Sequence, residues 1–98
     1  MARVLEFHSA ARDEFDAAVD WYEAARPGFG TAFLAAVYEA AERAAEHPLA
    51  GAPLGSELRR VFVRRFPYFV LYDSDAVRVR VVTVAHFRRR PGYWKSRR

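Results

Sequence analysis

The stretch between residues 58 and 94 constrains the fold most, because β-branched and aromatic residues are interleaved with arginine along almost all of it. Three segments of this stretch are rich in Val, Phe and Tyr. They are separated by Phe66-Pro67 and by an Asp-Ser-Asp-Ala turn at residues 73–76. The segments are residues 58–65, 68–73 and 77–86. Their spacing predicts a meander of three antiparallel strands.

Side-chain alternation assigns the two faces of each predicted strand. In the last segment, the residues expected on one face are Val77, Val79, Val81 and Thr83. The residues expected on the other face are Arg78, Arg80, Val82, Val84 and His86. One face should therefore belong to the core, and the other should be partly cationic. In the first segment, Val61-Phe62-Val63 is apolar on both sides, which favours an inner strand covered at least in part on both faces.

The N-terminal part of the chain predicts a short strand and then a helix. Residues 3–8 alternate as an extended segment, and Ser9 can cap a helix that begins near Ala10. The apolar side chains of this helix recur three and four residues apart, which indicates an amphipathic helix with one buried stripe. The stripe consists of Ala11, Phe15, Ala18, Val19 and Tyr22.

A second helix is expected to begin near Thr31, after Pro27-Gly28 and Gly30 turn the chain. Its frequent alanines favour helix and allow the two helices to approach closely as an antiparallel hairpin. Pro48 ends this helix just after His47, and residues 49–55 are expected to form a loop. The predicted inner stripe is Phe29, Phe33, Val37, Ala40, Ala41 and Ala44.

The predicted order of elements is strand, helix, helix, strand, strand, strand, which indicates an α+β fold. The helical hairpin should pack on one face of a mainly antiparallel sheet, and a short turn or helix should follow the last strand. The chain has 98 residues, of which 52% are hydrophobic. This size is enough for one core, so a single domain spanning residues 1–98 is expected.

Cysteine content and hydropathy indicate the cellular compartment in which the chain is expected. Without cysteine, neither a disulfide nor a thiolate metal site can stabilise the fold, and this fits the cytoplasm. The longest apolar runs are far shorter than the roughly 20 residues that span a bilayer, and the N-terminus lacks the pattern of a signal peptide. We therefore expect a cytoplasmic protein with no metal, no cofactor and no membrane contact.

Charge is divided unevenly along the chain. Residues 1–58 contain four Arg and ten Asp or Glu, a charge of −6, whereas residues 59–98 contain twelve Arg or Lys and two Asp, a charge of +10. Eleven of the twelve cations are arginine, which binds phosphate and carboxylate through planar, bidentate contacts. This division favours an anionic target for the basic part. The alternative is a solvated acidic helix pair that balances a solvated basic sheet.

A series of short motifs resembles a known family in its order and spacing. The motifs are Trp21-Tyr22-Glu23, Pro27-Gly28-Phe29-Gly30, His47-Pro48, Leu58-Arg59, Arg65-Phe66-Pro67-Tyr68 with Tyr72, Ala85-His86, and Arg89-Arg90-Pro91-Gly92-Tyr93-Trp94. Over nearly the whole chain, the sequence resembles the RelE/ParE family of bacterial toxins, also called plasmid stabilisation proteins. These are the toxic halves of type II toxin–antitoxin pairs, so the resemblance implies a cognate antitoxin that forms a hetero-oligomer with the chain.

The resemblance implies one of two mechanisms. RelE-like members cut messenger RNA in the ribosomal decoding site, whereas ParE-like members poison DNA gyrase. Metal-independent RNA cleavage needs a proton-transfer group and cations that stabilise charge on the phosphate. For that chemistry the resemblance points to His86, Arg65 and Arg59 as catalytic residues, with Glu57 near the position of a catalytic carboxylate. A histidine at a strand end can instead be a structural hydrogen-bonding group.

The sequence departs from the ribonuclease pattern in two ways. Phe87 follows His86 where those members have a tyrosine, so a phenol that could donate a proton is missing. The lysine cluster of some ribonuclease members is also absent, because Lys95 is the only lysine. These departures favour a toxin that acts on DNA gyrase or a related target. The alternatives are a ribosome-dependent messenger RNA endoribonuclease and a non-toxic basic binding module.

Further residues are expected to contact the target or the antitoxin. The expected target-binding residues are Arg64, Arg78, Arg80, Arg88 and Arg89, and the alternative for several of them is a solvated rim of the sheet. The residues expected to contact the antitoxin are Trp21, Tyr38 and Trp94. Trp94 can instead belong to a structural clasp with Arg89 and Pro91. An antitoxin rich in Asp and Glu would complement the basic part of the chain.

Overall fold

The computed structural model describes residues 2–97 and contains one five-stranded sheet with a helical hairpin on one face. The elements are β1 (Val4–Phe7), α1 (Ser9–Ala25), α2 (Phe29–Glu46), β2 (Ala52–Leu54), β3 (Leu58–Phe62), β4 (Tyr68–Ser74), β5 (Arg78–His86) and a short 3₁₀ helix (Lys95–Arg97). The strand order is β1-β5-β4-β3-β2, with β1 parallel to β5 and the other neighbours antiparallel. The predicted α+β fold class is confirmed.

Both helices begin earlier than the sequence predicts. The N-cap of α1 is His8, not Ser9, because the His8 Nδ1 atom accepts a hydrogen bond from the Ala10 N–H at 3.1 Å. The N-cap of α2 is Gly28 in a left-handed conformation (φ 90°), so this helix already includes Phe29. Phe29 is 39% exposed and therefore lies at the margin of the stripe that was predicted to face inward.

The turn between the helices depends on Glu23 and Gly30. The Glu23 carboxylate accepts hydrogen bonds from the backbone N–H groups of Gly28 and Gly30, each at 3.0 Å. A Cβ atom at position 30 would lie 2.7 Å from the Val19 carbonyl oxygen, which is too close for any side chain. Glycine therefore allows α2 to start directly against α1.

The sheet differs from the predicted meander at its edges. A short strand, β2, lies within the predicted loop at residues 49–55 and pairs antiparallel with β3. The strand β3 ends at Phe62, because Val63 already begins the turn to β4 with a hydrogen bond from its N–H to the Tyr68 carbonyl. Val63 is buried, whereas Phe62 is half exposed. As predicted, β3 is an inner strand, and its side chains are covered in part.

A β-bulge in β5 reverses the predicted alternation. Leu71 pairs with Thr83 and Tyr72 pairs with Val81, which leaves Val82 as an extra residue. Beyond the bulge, Val84 faces the helices together with Val81, and His86 pairs with Tyr68 on that same face. The prediction that Thr83 shares a face with Val81, opposite Val84 and His86, is therefore wrong.

Apolar side chains pack on both faces of the sheet. On the helix face, Phe15, Phe33 and Val37 are buried against Val70 and Val81 of the sheet. On the opposite face, a smaller cluster includes Trp94 from the C-terminal segment. Its buried members are Leu58, Phe69, Leu71, Val82, Ala85 and Trp94. The C-terminal segment thus covers part of the face that the helices leave open.

Candidate functional site

A groove runs between α2 and the β3–β4 turn, and we call it the hairpin–turn groove. Its volume is about 800 Å³, and its apolar walls include Tyr22, Phe29 and Phe66. Arg64 and Arg65 line it at the turn. Arg64 lies 3.3 Å from Glu39 of α2, so one of the two arginines is paired with a carboxylate. The groove therefore combines an apolar surface with positive charge at its rim.

Arg65 has a backbone conformation that is unusual for a residue with a side chain. Its φ is +73°, the only positive φ at a residue other than glycine within residues 2–97. A left-handed conformation costs an ordinary residue about 1 kcal/mol or more, and such strain is concentrated at functional sites. A turn selected for stability alone would have glycine at this position. The backbone at Arg65 therefore carries strain that glycine would relieve.

His86 lies at the same end of the sheet as Arg65, and two contacts hold its ring. Its Nδ1 atom accepts a hydrogen bond from the Arg88 N–H at 3.0 Å, and its ring lies edge to face with Tyr68 at 5.1 Å between centroids. With Nδ1 as the acceptor, the neutral imidazole carries its proton on Nε2. In that tautomer His86 cannot accept a proton through Nε2.

Tyr22 and Tyr68, which lie near His86, cannot act as bases at neutral pH. Burial is the main cause that raises the pKa of both Tyr22 and Tyr68 above the ordinary value. Both hydroxyls are therefore protonated at neutral pH. They interact with each other through their hydroxyl groups, and they cannot take a proton from a substrate hydroxyl.

Arg59 lies in another part of the sheet, where it holds a loop. Its Nη1 atom donates hydrogen bonds to the carbonyl oxygens of Leu49 at 3.2 Å and Gly51 at 2.8 Å. Arg59 pairs with Tyr72 of β4, whereas His86 pairs with Tyr68. Tyr72 and Tyr68 are four residues apart, which is about 13 Å along β4. The structure thus brings Arg65 and His86 to one end of the sheet but does not bring Arg59 to them.

Glu57 is also far from His86, because it lies in the turn between β2 and β3 at the opposite end of the sheet. It lines a mixed-charge pocket of about 510 Å³ together with Arg78 and Arg80. The residues named for RNA cleavage are therefore spread over the molecule. They do not form one compact site.

Most arginines expected to contact the target already have a carboxylate partner. Besides Arg64, the pairs are Arg78 with Glu6 at 3.1 Å, Arg80 with Asp73 at 3.4 Å, and Arg89 with Glu14 at 3.7 Å. Arg88 is exposed, and no ion pair is recorded for it in the described chain. Such partly exposed pairs contribute about 0–1 kcal/mol and can exchange for another anion. Their role in target binding stays a prediction.

The three aromatic residues expected to contact the antitoxin have different environments. Trp21 is 66% exposed on α1, and its ring contacts Tyr22 edge to face. The Tyr38 hydroxyl accepts a hydrogen bond from Arg12 Nη1 at 2.8 Å, and its ring packs on Phe15. Trp94 is only 8% exposed and fills the smaller cluster on the open face of the sheet. Trp94 is thus buried against the sheet, whereas Trp21 is exposed, and the antitoxin contact of all three residues stays a prediction.

Two features were missed from the sequence. The first is a pair of exposed rings, Phe62 and Phe87, on the face of the sheet away from the helices. The sequence could have indicated this pair, because each phenylalanine lies at a strand end close to a run of arginines. The second is a set of hydrogen bonds in which Arg97 and Tyr93 reach Glu14 and Thr83. No sequence signal indicates that set, because Glu14 and Arg97 are 83 residues apart.

Residues 2–97 contain no group of three or more His, Cys, Asp or Glu side chains that could hold a metal ion. Neither helix in this range combines the length and the apolar character needed to cross a membrane.

Comparisons with known proteins give a family from the sequence and a fold from the structure. A family model described as "ParE toxin of type II toxin-antitoxin system, parDE" matches residues 5–91. Among solved structures, the chain is similar to one described as "Chromosomal ParDE TA system from P. aeruginosa", with a TM-score of 0.73 and 16% sequence identity. That match covers 87% of this chain and 96% of the other. No curated protein matches the sequence.

Proposed function

Because the chain belongs to the ParE family of type II toxin–antitoxin toxins, we propose that it arrests bacterial growth by poisoning DNA gyrase or a related target. We further propose that a cognate antitoxin neutralises it by binding the folded toxin. The family match carries the first part of this proposal. The arrangement of the candidate catalytic residues supports the choice of target.

The geometry favours a toxin that binds its target over one that cuts RNA. Cleavage without a metal needs a base near the 2′-hydroxyl, an acid at the leaving oxygen and cations at the phosphate, all around one reacting atom. Arg59 is instead bonded to backbone carbonyls, and the His86 Nδ1 atom accepts from the backbone of Arg88. The side chain after His86 is a phenylalanine, which has no proton to donate. The remaining candidate, Arg65, suits a role in binding.

The hairpin–turn groove is the surface that we assign to the target. Its apolar walls can bury an apolar side chain of a protein partner, and the arginines at its rim can pair with carboxylates. The strained backbone of Arg65 supports this assignment, because strain that is retained at a cost in stability is typical of a functional position.

The exposed apolar side chains of the hairpin support an antitoxin contact. Trp21 is 66% exposed, and Leu34 on α2 is 41% exposed. A partner chain that covers the hairpin could bury both side chains. An antitoxin segment rich in Asp and Glu would also be attracted to the basic C-terminal part of the chain.

Inducible expression in bacteria, with and without a candidate antitoxin gene, tests this proposal. We expect growth arrest by the toxin alone and rescue by co-expression. Primer extension on messenger RNA from the arrested cells should reveal no ribosome-dependent cleavage. New cleavage sites in messenger RNA would instead favour the endoribonuclease alternative. Normal growth with a soluble, folded product would favour the non-toxic binding module.

A further inference from the structure

Two phenylalanine rings are exposed on the face of the sheet opposite the helices. Phe62 at the end of β3 is 50% exposed, and Phe87 just after β5 is 53% exposed. Their centroids lie 5.7 Å apart with the rings nearly perpendicular, and the buried Phe69 is stacked against Phe87 at 6.5 Å. We call these three residues the aromatic platform. Phe69 fixes the position of Phe87, so the exposed rings are held in place.

Arg60 adds a cation to the aromatic platform. Its guanidinium carbon lies 5.3 Å from the Phe62 centroid and 5.7 Å from the Phe69 centroid, which is within the range of a cation–π contact. The Arg60 Nε atom is buried and has no hydrogen-bond partner. No ion pair is recorded for Arg60 anywhere in residues 2–97. Its charge is therefore available to an anion.

A cationic cleft adjoins the aromatic platform along the edge of β3. The cleft has a volume of about 360 Å³ and is lined by Arg43, Arg60, Arg64 and Phe62 among others. None of the lining residues, all of them within the described range, is acidic. Glu39 pairs with both Arg43 and Arg64 from outside the cleft, so three arginines share one carboxylate and the cleft keeps a net positive charge. Exposed rings and a row of arginines thus lie side by side.

We propose that the aromatic platform and this cleft bind single-stranded nucleic acid. Proteins bind such strands by stacking successive bases on aromatic rings and by pairing the phosphates with cations beside them. Arginine stacked on a ring strengthens a site of this kind, because it contributes both charge and a planar surface. An acidic protein segment would use the arginines, but its carboxylates would not use the exposed ring faces. The inference concerns binding without cleavage and does not depend on the proposed action on gyrase.

A pair of matched oligonucleotides tests this proposal. Fluorescence anisotropy of the full chain is measured with a labelled oligothymidylate of about 12 nucleotides and with an abasic strand of equal length. The two strands carry the same phosphates but only the first has bases to stack. We expect the oligothymidylate to bind about tenfold more tightly, and both affinities to fall as salt is raised. Equal affinity for the two strands, or no binding of either at low salt, would overturn the proposal.

Variants then locate the binding site on the chain. Replacing Phe62 or Phe87 by leucine keeps an apolar side chain but removes the ring, so binding of the oligothymidylate should weaken about tenfold while binding of the abasic strand is unchanged. Phe62→Tyr retains a ring and should bind like the wild type, which separates stacking from a loss of folding. Trp21→Leu is the control, because that exposed ring lies on α1.

A variant of Arg60 tests the contribution of its charge to binding. Arg60→Gln should weaken binding of both strands and lower the slope of log affinity against log salt by about one. Wild-type affinity of the two leucine variants for the oligothymidylate would exclude the aromatic platform as the site. If those variants instead lost affinity only for the antitoxin, the platform would be a protein contact and the proposal would be wrong.

Discussion

Arg65 combines a left-handed backbone with a position at the rim of the hairpin–turn groove. Its positive φ and its place at the rim of the hairpin–turn groove are invisible in the sequence, because a left-handed backbone is predictable only where glycine or asparagine occurs. Only the resemblance to a family pointed to Arg65. The cap of α1 was missed for a different reason, because His8 caps the helix although serine, a commoner capping residue, follows it.

Replacing Arg65 by glycine or by alanine separates its backbone from its side chain. Both variants lose the guanidinium group, so both should lose toxicity to the same degree. Glycine relieves the left-handed strain, whereas alanine keeps it, so the glycine variant should be more stable than the alanine variant by about 1 kcal/mol. Growth assays and urea unfolding measure the two effects. Full toxicity of either variant would remove Arg65 from the target contact.

His86 allows a similar separation of roles. Asparagine can place its Oδ1 atom close to the position of the imidazole Nδ1, so His86→Asn should keep the hydrogen bond from the Arg88 N–H. His86→Gln extends its polar atoms beyond that position and should be less stable than the asparagine variant by about 1 kcal/mol. Both variants lose the ring contact with Tyr68, which makes them a matched pair. If the role of His86 is structural, the more stable asparagine variant should also be the more toxic of the two. If His86 is catalytic, neither variant should be toxic.

At the scale of the elements, the two helices and the three long strands follow from local patterns. The bulge at Val82 does not, because one extra residue in β5 leaves the composition of the strand unchanged and yet moves Val84 and His86 to the helix face. The C-terminal segment was predicted as a short turn or helix, but its position against the sheet was not. It covers the edge of β5 beyond the end of β1, where Arg97 Nη1 donates to the Val82 carbonyl at 3.0 Å.

The ion pair between Glu14 and Arg97 should be a major source of stability for this segment. Arg97 donates to both carboxylate oxygens, at 2.7 and 3.0 Å, and both side chains are less than one-fifth exposed. Glu14→Gln leaves a partly buried cation without its partner and should lower the free energy of unfolding by about 2–3 kcal/mol. Thermal unfolding measures this loss.

Two further variants make the test of this ion pair specific. Glu42→Gln, at an exposed position of α2, should change the free energy of unfolding by less than about 0.5 kcal/mol. The double variant Glu14→Gln, Arg97→Gln should recover part of the loss, since neither charge is then left alone. Strictly additive effects would mean that the two side chains do not act as a pair.

At the scale of the whole molecule, the acidic helical hairpin and the basic sheet lie on opposite sides of one core. The fold class could be predicted because the order of elements and their periodicity leave few ways to bury the apolar residues. The functional surfaces could not. Which arginines have a partner, and which rings stay exposed, depends on contacts between residues far apart in sequence, such as Glu39 with Arg64.

A cognate antitoxin should stabilise the toxin by mass action. At a free concentration about 1,000 times its dissociation constant, a partner that binds only the folded state adds about 4 kcal/mol, which corresponds to a rise in Tm of more than about 10 °C for a domain of this size. Trp21→Ala should reduce this rise because it removes an exposed ring from α1. Leu49→Ala, at an exposed position in the loop after α2, is the control and should leave it unchanged.

The most direct measurement is DNA supercoiling by purified gyrase in the presence of the purified toxin. The account predicts that the wild-type chain inhibits supercoiling of relaxed plasmid and causes cleaved plasmid to accumulate. It also predicts that Arg65→Ala does neither, although it folds, and that added antitoxin restores supercoiling. Unaffected supercoiling, from a toxin sample that cuts messenger RNA on ribosomes, would contradict the account.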